Sequence, residues 1–131
     1  MDPQLSSFKS KGGMRRIFNA CRYSWQGLCA AFKHEAAFRQ ELLIVLVLVP
    51  VAVWIGRNTG EILLLIGSLF FVLIIELINS ALEALADAIT IEHHPLLGRA
   101  KDLGSAAVML AMFFCGMVWL GIMASHQNWL P

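Results

Sequence analysis

The sequence has few charged residues and no C-x-x-C pair of cysteines. Asp, Glu, Lys and Arg make up 15% of its 131 residues, whereas a soluble domain usually contains about 25%. Neither sign of charge dominates, because the net charge is +1. The sequence therefore has no excess of basic residues that would favour binding to nucleic acid. Its three cysteines form no C-x-x-C pair, which argues against a disulfide framework or a zinc site. Hydrophobic residues make up 58%, more than one small soluble core could bury, and we therefore predict a membrane protein.

Three long apolar runs account for this excess of hydrophobic residues. Residues 42–56 and 62–75 are uncharged over 15 and 14 positions, and residues 103–125 over 23 positions. Because a spanning helix needs about 17–25 residues, the first run must extend toward the N-terminus and the second must include Glu76 and Asn79. We therefore predict an all-α membrane protein. Its expected parts are one domain over residues 1–131, transmembrane helices near 36–56, 62–82 and 103–125, and a connecting loop over 90–98.

The N-terminal arm combines basic and aromatic side chains. Residues 15–34 mix Arg and Lys with Phe, Tyr, Trp and Leu at roughly helical spacing, which predicts an amphipathic helix on the membrane surface. A simple basic anchor is the alternative, and residues 1–14 are expected to be mobile. Seven of the ten Lys and Arg lie before residue 42, and only Arg57 lies between the first two spans. The positive-inside rule then places the N-terminus and the 88–102 loop in the cytoplasm.

The second span carries a stripe of polar residues. Asn79, Glu83 and Asp87 follow Glu76 by 3, 7 and 11 positions, which places all four on one helix face at about 100° per residue. At about 1.5 Å per residue, Glu76 lies roughly 20 Å from the outer end of the span, in the cytoplasmic half of the membrane. An acidic residue at this depth indicates a functional site. Carboxylates on one face repel each other, so we expect a divalent metal or basic groups beside them.

The stripe alone leaves three classes of function open. Polar residues within a membrane also hold helices together, so Asn79 and Ser80 could serve packing only. An acidic stripe could equally relay protons or ions. The third class is an enzyme, because carboxylate oxygens suit Mg²⁺, which commonly shares its ligands with nucleotide phosphates. Such a site could not be a P-loop, since the sequence contains no G-x-x-x-x-G-K-[ST] motif.

Four segments resemble the signature motifs of one family. They are Y-S-W-Q-G-L at 23–28, E-A-A-F-R-Q-E at 35–41, E-L-I-N-S-A-L-E at 76–83 and G-R-A-K-D-L-G-S-A-A-V at 98–108. The E-x-x-N-S-x-x-E stripe coupled to G-R-A-K-D is highly specific, and the similarity extends over about residues 15–126. The sequence thereby resembles the prokaryotic diacylglycerol kinase family.

The resemblance implies a homotrimer in the bacterial inner membrane, with three spans and an amphipathic surface helix in each subunit. Such an enzyme transfers the γ-phosphate of MgATP to the hydroxyl of diacylglycerol, which yields phosphatidic acid and ADP. Its active sites lie between neighbouring subunits on the cytoplasmic side. A related branch of the family phosphorylates undecaprenol, which is the alternative substrate, although the E-A-A-F-R-Q-E and Y-S-W segments are more similar to the diacylglycerol branch.

The resemblance also implies roles for individual residues. Glu76 would accept the proton of the lipid hydroxyl with support from Asn79, and Glu35 and Glu83 would hold the Mg²⁺ of the triphosphate. The other expected nucleotide contacts are Arg16, Tyr23, Glu92, His94, Lys101 and Asp102, and the expected contacts with the lipid headgroup are Arg39, Glu41 and Ser105. Three helices of one protomer are too few to enclose nucleotide, metal and lipid. A neighbouring chain must therefore contribute to the site, and the resemblance implies that Glu35 of one chain faces the stripe of another.

Overall fold

The computed structural model describes residues 13–127, which form four α-helices. They are α1 (Gly13–His34), α2 (Ala36–Ile55), α3 (Thr59–Ile89) and α4 (Pro95–His126). Helices α2, α3 and α4 are each long and apolar enough to cross a membrane. The predicted all-α class with three spans after an N-terminal helix is thereby confirmed. Of the segment expected to be mobile, residues 1–12 lie outside the described residues.

Helix α1 belongs to a unit of its own, separate from the unit that contains α2, α3 and α4. It is 22 residues long and begins two residues before the predicted start. Ile17, Phe18 and Trp25 are among its exposed apolar side chains. Lys33 and His34 lie in its last turn, where a positive charge interacts favourably with the helix dipole. The helix thus has the mixed apolar and basic composition of an interfacial helix.

A short turn with two specialised residues joins α2 to α3. Gly56 approaches α3 so closely that a Cβ at this position would collide with the side chain of Ile62. Asn58 caps α3, since its Oδ1 accepts a hydrogen bond from the Glu61 N–H at 2.9 Å. The turn therefore starts α3 at Thr59 and allows it to pack back against α2.

The connection between α3 and α4 is shorter than the predicted loop over 90–98. Helix α4 begins at Pro95, so the prediction that residues 95–98 belong to the loop is wrong. His94 Nδ1 accepts a hydrogen bond from the Leu96 N–H at 3.3 Å, which caps the new helix. Pro95 suits the first helical position because its nitrogen has no N–H that would need a partner. The two residues together start the helix well before its apolar run.

Helix α3 packs against both α2 and α4, most extensively against α4. Its buried side chains recur every three or four residues, as they do on one face of a helix. They include Leu65, Leu69, Val72, Leu73, Glu76, Asn79 and Ser80. This face is mainly apolar up to Leu73 and polar from Glu76 to Ser80, so the fold buries the beginning of the predicted stripe.

Helix α4 contributes few side chains to this core. Among the described residues of α4, only Gly104 and Ala111 are buried, while Phe113, Met117 and Leu120 are exposed. A continuous apolar surface of this kind is unfavourable in water. Lipid or other protein chains must therefore cover most of α4.

Candidate active site

Polar side chains are buried near the start of α2 and in the C-terminal half of α3. Glu41 of α2 and Glu76, Asn79 and Ser80 of α3 are each 8% exposed or less. Asn79 Nδ2 donates a hydrogen bond to Glu83 Oε1 at 3.1 Å, one helical turn further along α3. The face that the sequence predicts for Glu76, Asn79 and Glu83 is therefore present in the structure.

Three carboxylates from two segments lie within electrostatic range of Glu76. Glu83 and Glu35 both repel Glu76 electrostatically, and Glu76 in turn repels Glu41. We call Glu35, Glu41, Glu76 and Glu83 the acidic cluster. Burying like charges is costly unless cations or hydrogen-bond donors compensate them. The acidic cluster therefore has the electrostatic character of a site that receives a cation.

Three buried polar atoms in this region have no hydrogen-bond partner. They are Glu41 Oε2, Asn79 Oδ1 and Ser80 Oγ. A buried polar atom in this state costs about 1–3 kcal/mol, and folded proteins leave few of them without a reason. The unpartnered oxygen of Glu41 can accept a hydrogen bond, which fits a ligand that carries a hydroxyl group.

Helix α4 brings a cation and a glycine to the acidic cluster. Lys101 Nζ pairs with Asp87 Oδ1 at 2.7 Å, and its positive charge also attracts Glu83. Gly104 lies so close to Asn79 that a Cβ at this position would collide with Asn79 Oδ1. Sequence reasoning found Lys101 but missed Gly104, because this contact depends on the register of α4 against α3.

The remaining predicted site residues are exposed. They are Arg39 on α2, Glu92 and His94 in the connection before α4, Asp102 and Ser105 on α4, and Arg16 and Tyr23 on α1. Helix α1 belongs to the other unit. The roles expected of these residues stay predictions.

The carboxylates present are compatible with a magnesium ion that arrives with a nucleotide. The described residues contain no group of three or more His, Cys, Asp or Glu that could hold a metal. Mg²⁺ does not require one, since proteins usually bind it through one or two carboxylates together with water and substrate phosphates. The predicted pair, Glu35 and Glu83, lies near Glu76 within one chain. The expectation that Glu35 faces the stripe of another chain stays a prediction.

Comparison with known proteins assigns the sequence to a family. The model of the family described as prokaryotic diacylglycerol kinase matches residues 22–123. The sequence is 47% identical to the diacylglycerol kinase of Escherichia coli K12 over 114 residues, which cover 87% of this chain and 93% of the relative. It is 46% identical to that of Pseudomonas aeruginosa over 118 residues, or 90% and 96% of the two chains. It is 45% identical to that of Haemophilus influenzae over 111 residues, or 85% and 94%. The chain therefore belongs to the prokaryotic diacylglycerol kinase family.

Proposed function

We propose that this protein phosphorylates the hydroxyl of diacylglycerol with MgATP and releases phosphatidic acid and ADP. The relatives at 45–47% identity are named diacylglycerol kinases. The structural observation that carries the proposal is the burial of Glu76, which is 4% exposed on an apolar helix. By helix length Glu76 also lies in the cytoplasmic half of the membrane, where a base can meet a hydroxyl that stays at the edge of the hydrocarbon core.

Glu76 acts as the general base in this proposal. Its carboxylate accepts the proton of the lipid hydroxyl, and the hydroxyl oxygen forms a bond to the γ-phosphorus. The bond between the γ-phosphorus and the bridging oxygen then breaks, and ADP leaves. A positioned base contributes about 10²–10⁴-fold to the rate. The rest of the catalysis is positioning and neutralisation of phosphate charge.

Asn79 connects the base with a metal ligand. It lies one turn from Glu76 on the same buried face, and its Nδ2 donates to Glu83 Oε1 at 3.1 Å. This hydrogen bond holds the Glu83 carboxylate in place. Glu83 and Glu35 would hold the Mg²⁺ that enters with ATP. Mg²⁺ would neutralise charge on the transferred phosphate.

The other proposed contacts surround this centre. Lys101 contacts the nucleotide from α4, where its ion pair with Asp87 at 2.7 Å keeps the ammonium group beside the end of α3. Arg16, Tyr23, Glu92, His94 and Asp102 complete the nucleotide contacts, and Arg39, Glu41 and Ser105 line the lipid headgroup region. Glu41 Oε2 is buried without a hydrogen-bond partner, which suits it to accept a hydrogen bond from a glycerol hydroxyl.

We further propose a homotrimer in the bacterial inner membrane, with the site on the cytoplasmic side. The excess of Lys and Arg before residue 42 supports this orientation. The exposed apolar face of α4 supports assembly, because a second chain could cover it. Active sites formed between subunits would enclose the nucleotide, metal and lipid, which three helices of one chain are too few to do.

Release of ADP by the detergent-purified protein tests the proposed function. With MgATP present, ADP should appear when a short-chain diacylglycerol is added and should not appear without lipid. Undecaprenol in place of diacylglycerol measures the preference for the alternative substrate. An ion carrier would instead move protons or ions across vesicle membranes without ATP. A scaffold would neither release ADP nor move ions. Lack of lipid-dependent ADP release from a folded protein would contradict the proposal.

A further inference from the structure

The side chain of Asn79 fills the space in front of Gly104. Asn79 is 8% exposed, and Gly104 is itself buried. A Cβ at position 104 would collide with Asn79 Oδ1 and lie 3.3 Å from Asn79 Cγ, whereas the next atom, Leu82 Cδ1, would lie at an ordinary 3.6 Å. Asn79 is therefore the residue that a side chain at position 104 would displace.

Hydrogen-bonding chemistry fixes the orientation of the Asn79 amide. The amide turns its NH₂ group toward Glu83, where Nδ2 donates to the acceptor oxygen Oε1 at 3.1 Å. The amide oxygen then points toward Gly104. The opposite orientation would set two acceptor oxygens against each other. A hydrogen atom in place of a side chain at position 104 leaves the room that this orientation needs.

We infer that Gly104 is a positioning residue for phosphoryl transfer, which acts by keeping Asn79 in its hydrogen bond to Glu83. The inference rests on the proposed function, because Glu83 is placed there as a metal ligand. A side chain at position 104 displaces a movable side chain and no backbone atom, so the substituted protein should fold. A misplacement of about 1 Å in an active site can cost on the order of 100-fold in rate.

A double-mutant cycle of the full-length protein tests the inference. We expect Gly104→Ala to lower kcat roughly 10- to 100-fold with a smaller change in the KM for diacylglycerol. We expect Gly104→Ala combined with Asn79→Ala to be no slower than Asn79→Ala alone, because the glycine then has nothing to position. Gly116→Ala is the matched control, since a Cβ at this position of α4 meets nothing within 4 Å. It should retain the turnover of the wild-type protein.

A spectroscopic measurement separates this inference from the proposed function. In ¹⁵N-labelled protein in micelles, the NH₂ signals of Asn79 can be assigned by their absence from Asn79→Ala. Gly104→Ala should shift these signals, and Gly116→Ala should leave them in place. The measurement needs no catalysis. If the wild-type protein has no lipid kinase activity, the proposed function fails, and the amide signals still decide whether Gly104 positions Asn79.

Three results would overturn the inference. The losses of the two single variants could multiply in the double variant, which would mean that Gly104 acts independently of Asn79. Gly104→Ala could keep both the wild-type turnover and the wild-type amide signals. Gly104→Ala could also fail to fold, which would show that the surrounding structure, and not Asn79 alone, depends on the glycine.

Discussion

Glu76 places a carboxylate within a membrane-spanning helix, where a charge is costly. On insertion scales an acidic residue at the centre of a membrane span costs about 2.5–3.5 kcal/mol, and Glu76 is buried beside three further carboxylates. Packing does not explain this choice, because Gln would fill the same volume and form hydrogen bonds without the charge. The charge itself must therefore have a use, which we assign to proton transfer.

Glu76→Gln should abolish lipid phosphorylation and leave the fold intact. The substitution keeps the volume and removes the base, and loss of a general base typically costs about 10²–10⁴-fold in rate. Turnover, circular dichroism and the size of the assembly should be measured together. Glu61→Gln, at the other end of α3, is the control and should remain active. A Glu76→Gln protein with more than about a third of wild-type turnover would rule out Glu76 as the base.

Substitution of Glu83 should change the dependence of turnover on magnesium. Glu83→Gln still offers an oxygen to Asn79 Nδ2, so it preserves the hydrogen bond while it removes the charge that would bind Mg²⁺. We expect this variant, like Glu35→Ala, to need more Mg²⁺ for half-maximal turnover or to be inactive. A titration of turnover with Mg²⁺ at fixed ATP measures the effect. If the titration curve of active Glu83→Gln matches that of wild type, Glu83 is not a metal ligand.

The sequence predicts the stripe residues of the candidate site well, because helical periodicity depends on one element only. Glu76 and Asn79 are buried on one face, and Glu83 is hydrogen-bonded to Asn79. Asp87 lies on the extension of the same face, but it is exposed and pairs with Lys101. The contact of Gly104 with Asn79 could not be predicted, since it requires the register between two helices.

Hydropathy predicts the spans and not the full length of the helices. All three spans are found, yet α3 continues to Ile89 and α4 already begins at Pro95. A helix can continue beyond the hydrocarbon core, where local signals such as the cap at His94 and the proline at its first position determine where it starts. These extensions bring Asp87 and Lys101 together, at the end of the molecule that carries the acidic cluster.

A second group of contacts joins the helices at the opposite end of α3. Glu61 Oε2 accepts a hydrogen bond from the Arg57 N–H at 2.9 Å and lies 2.9 Å from His126 Nε2. Arg57 Nη2 donates to the His126 carbonyl oxygen at 3.1 Å. These contacts tie the α2–α3 turn and the start of α3 to the end of α4.

His126→Ala should lower thermal stability and spare activity. The substitution removes the ring that contacts Glu61, and Glu61 lies about 20 Å along the helix from Glu76. We expect the midpoint of thermal unfolding in detergent to fall by a few degrees, with wild-type turnover at low temperature. Ser125→Ala is the matched control, because the Ser125 hydroxyl donates only to the Ile122 carbonyl oxygen of its own helix. Equal midpoints for the two variants would show that this contact does not hold α3 to α4.

The whole molecule exposes more apolar surface than a single chain can hide. Large apolar side chains of α2, α3 and α4 are exposed, and on α4 the described residues include only two that are buried. Part of this surface suits lipid chains, and part is available to neighbouring subunits. The subunits of the proposed trimer could therefore cover part of the same surface that makes the protein a membrane protein.

Mixing inactive variants should restore activity if the sites are shared between subunits. Glu35→Ala and Glu76→Gln are combined under conditions in which subunits exchange. With shared sites, some mixed trimers place an intact Glu35 opposite an intact stripe, and a fraction of the turnover returns. Glu76→Gln mixed with Asn79→Ala is the control, since every stripe then carries a defect and no activity should return. Glu35 already lies near Glu76 in its own chain, so absence of recovery despite proven exchange would indicate self-contained sites.

Transfer of labelled phosphate into the lipid is the most direct test of lipid phosphorylation with Glu76 as the general base. The purified protein is placed in vesicles that contain diacylglycerol, and ATP labelled at the γ-phosphate is added with Mg²⁺. We predict that the label appears in phosphatidic acid with wild-type protein and Glu61→Gln, and that Glu76→Gln leaves it in ATP. Two results would contradict this account. With folded wild-type protein, the label could stay in ATP or appear only as free phosphate. Alternatively, Glu76→Gln could label the lipid as well as the wild-type protein does.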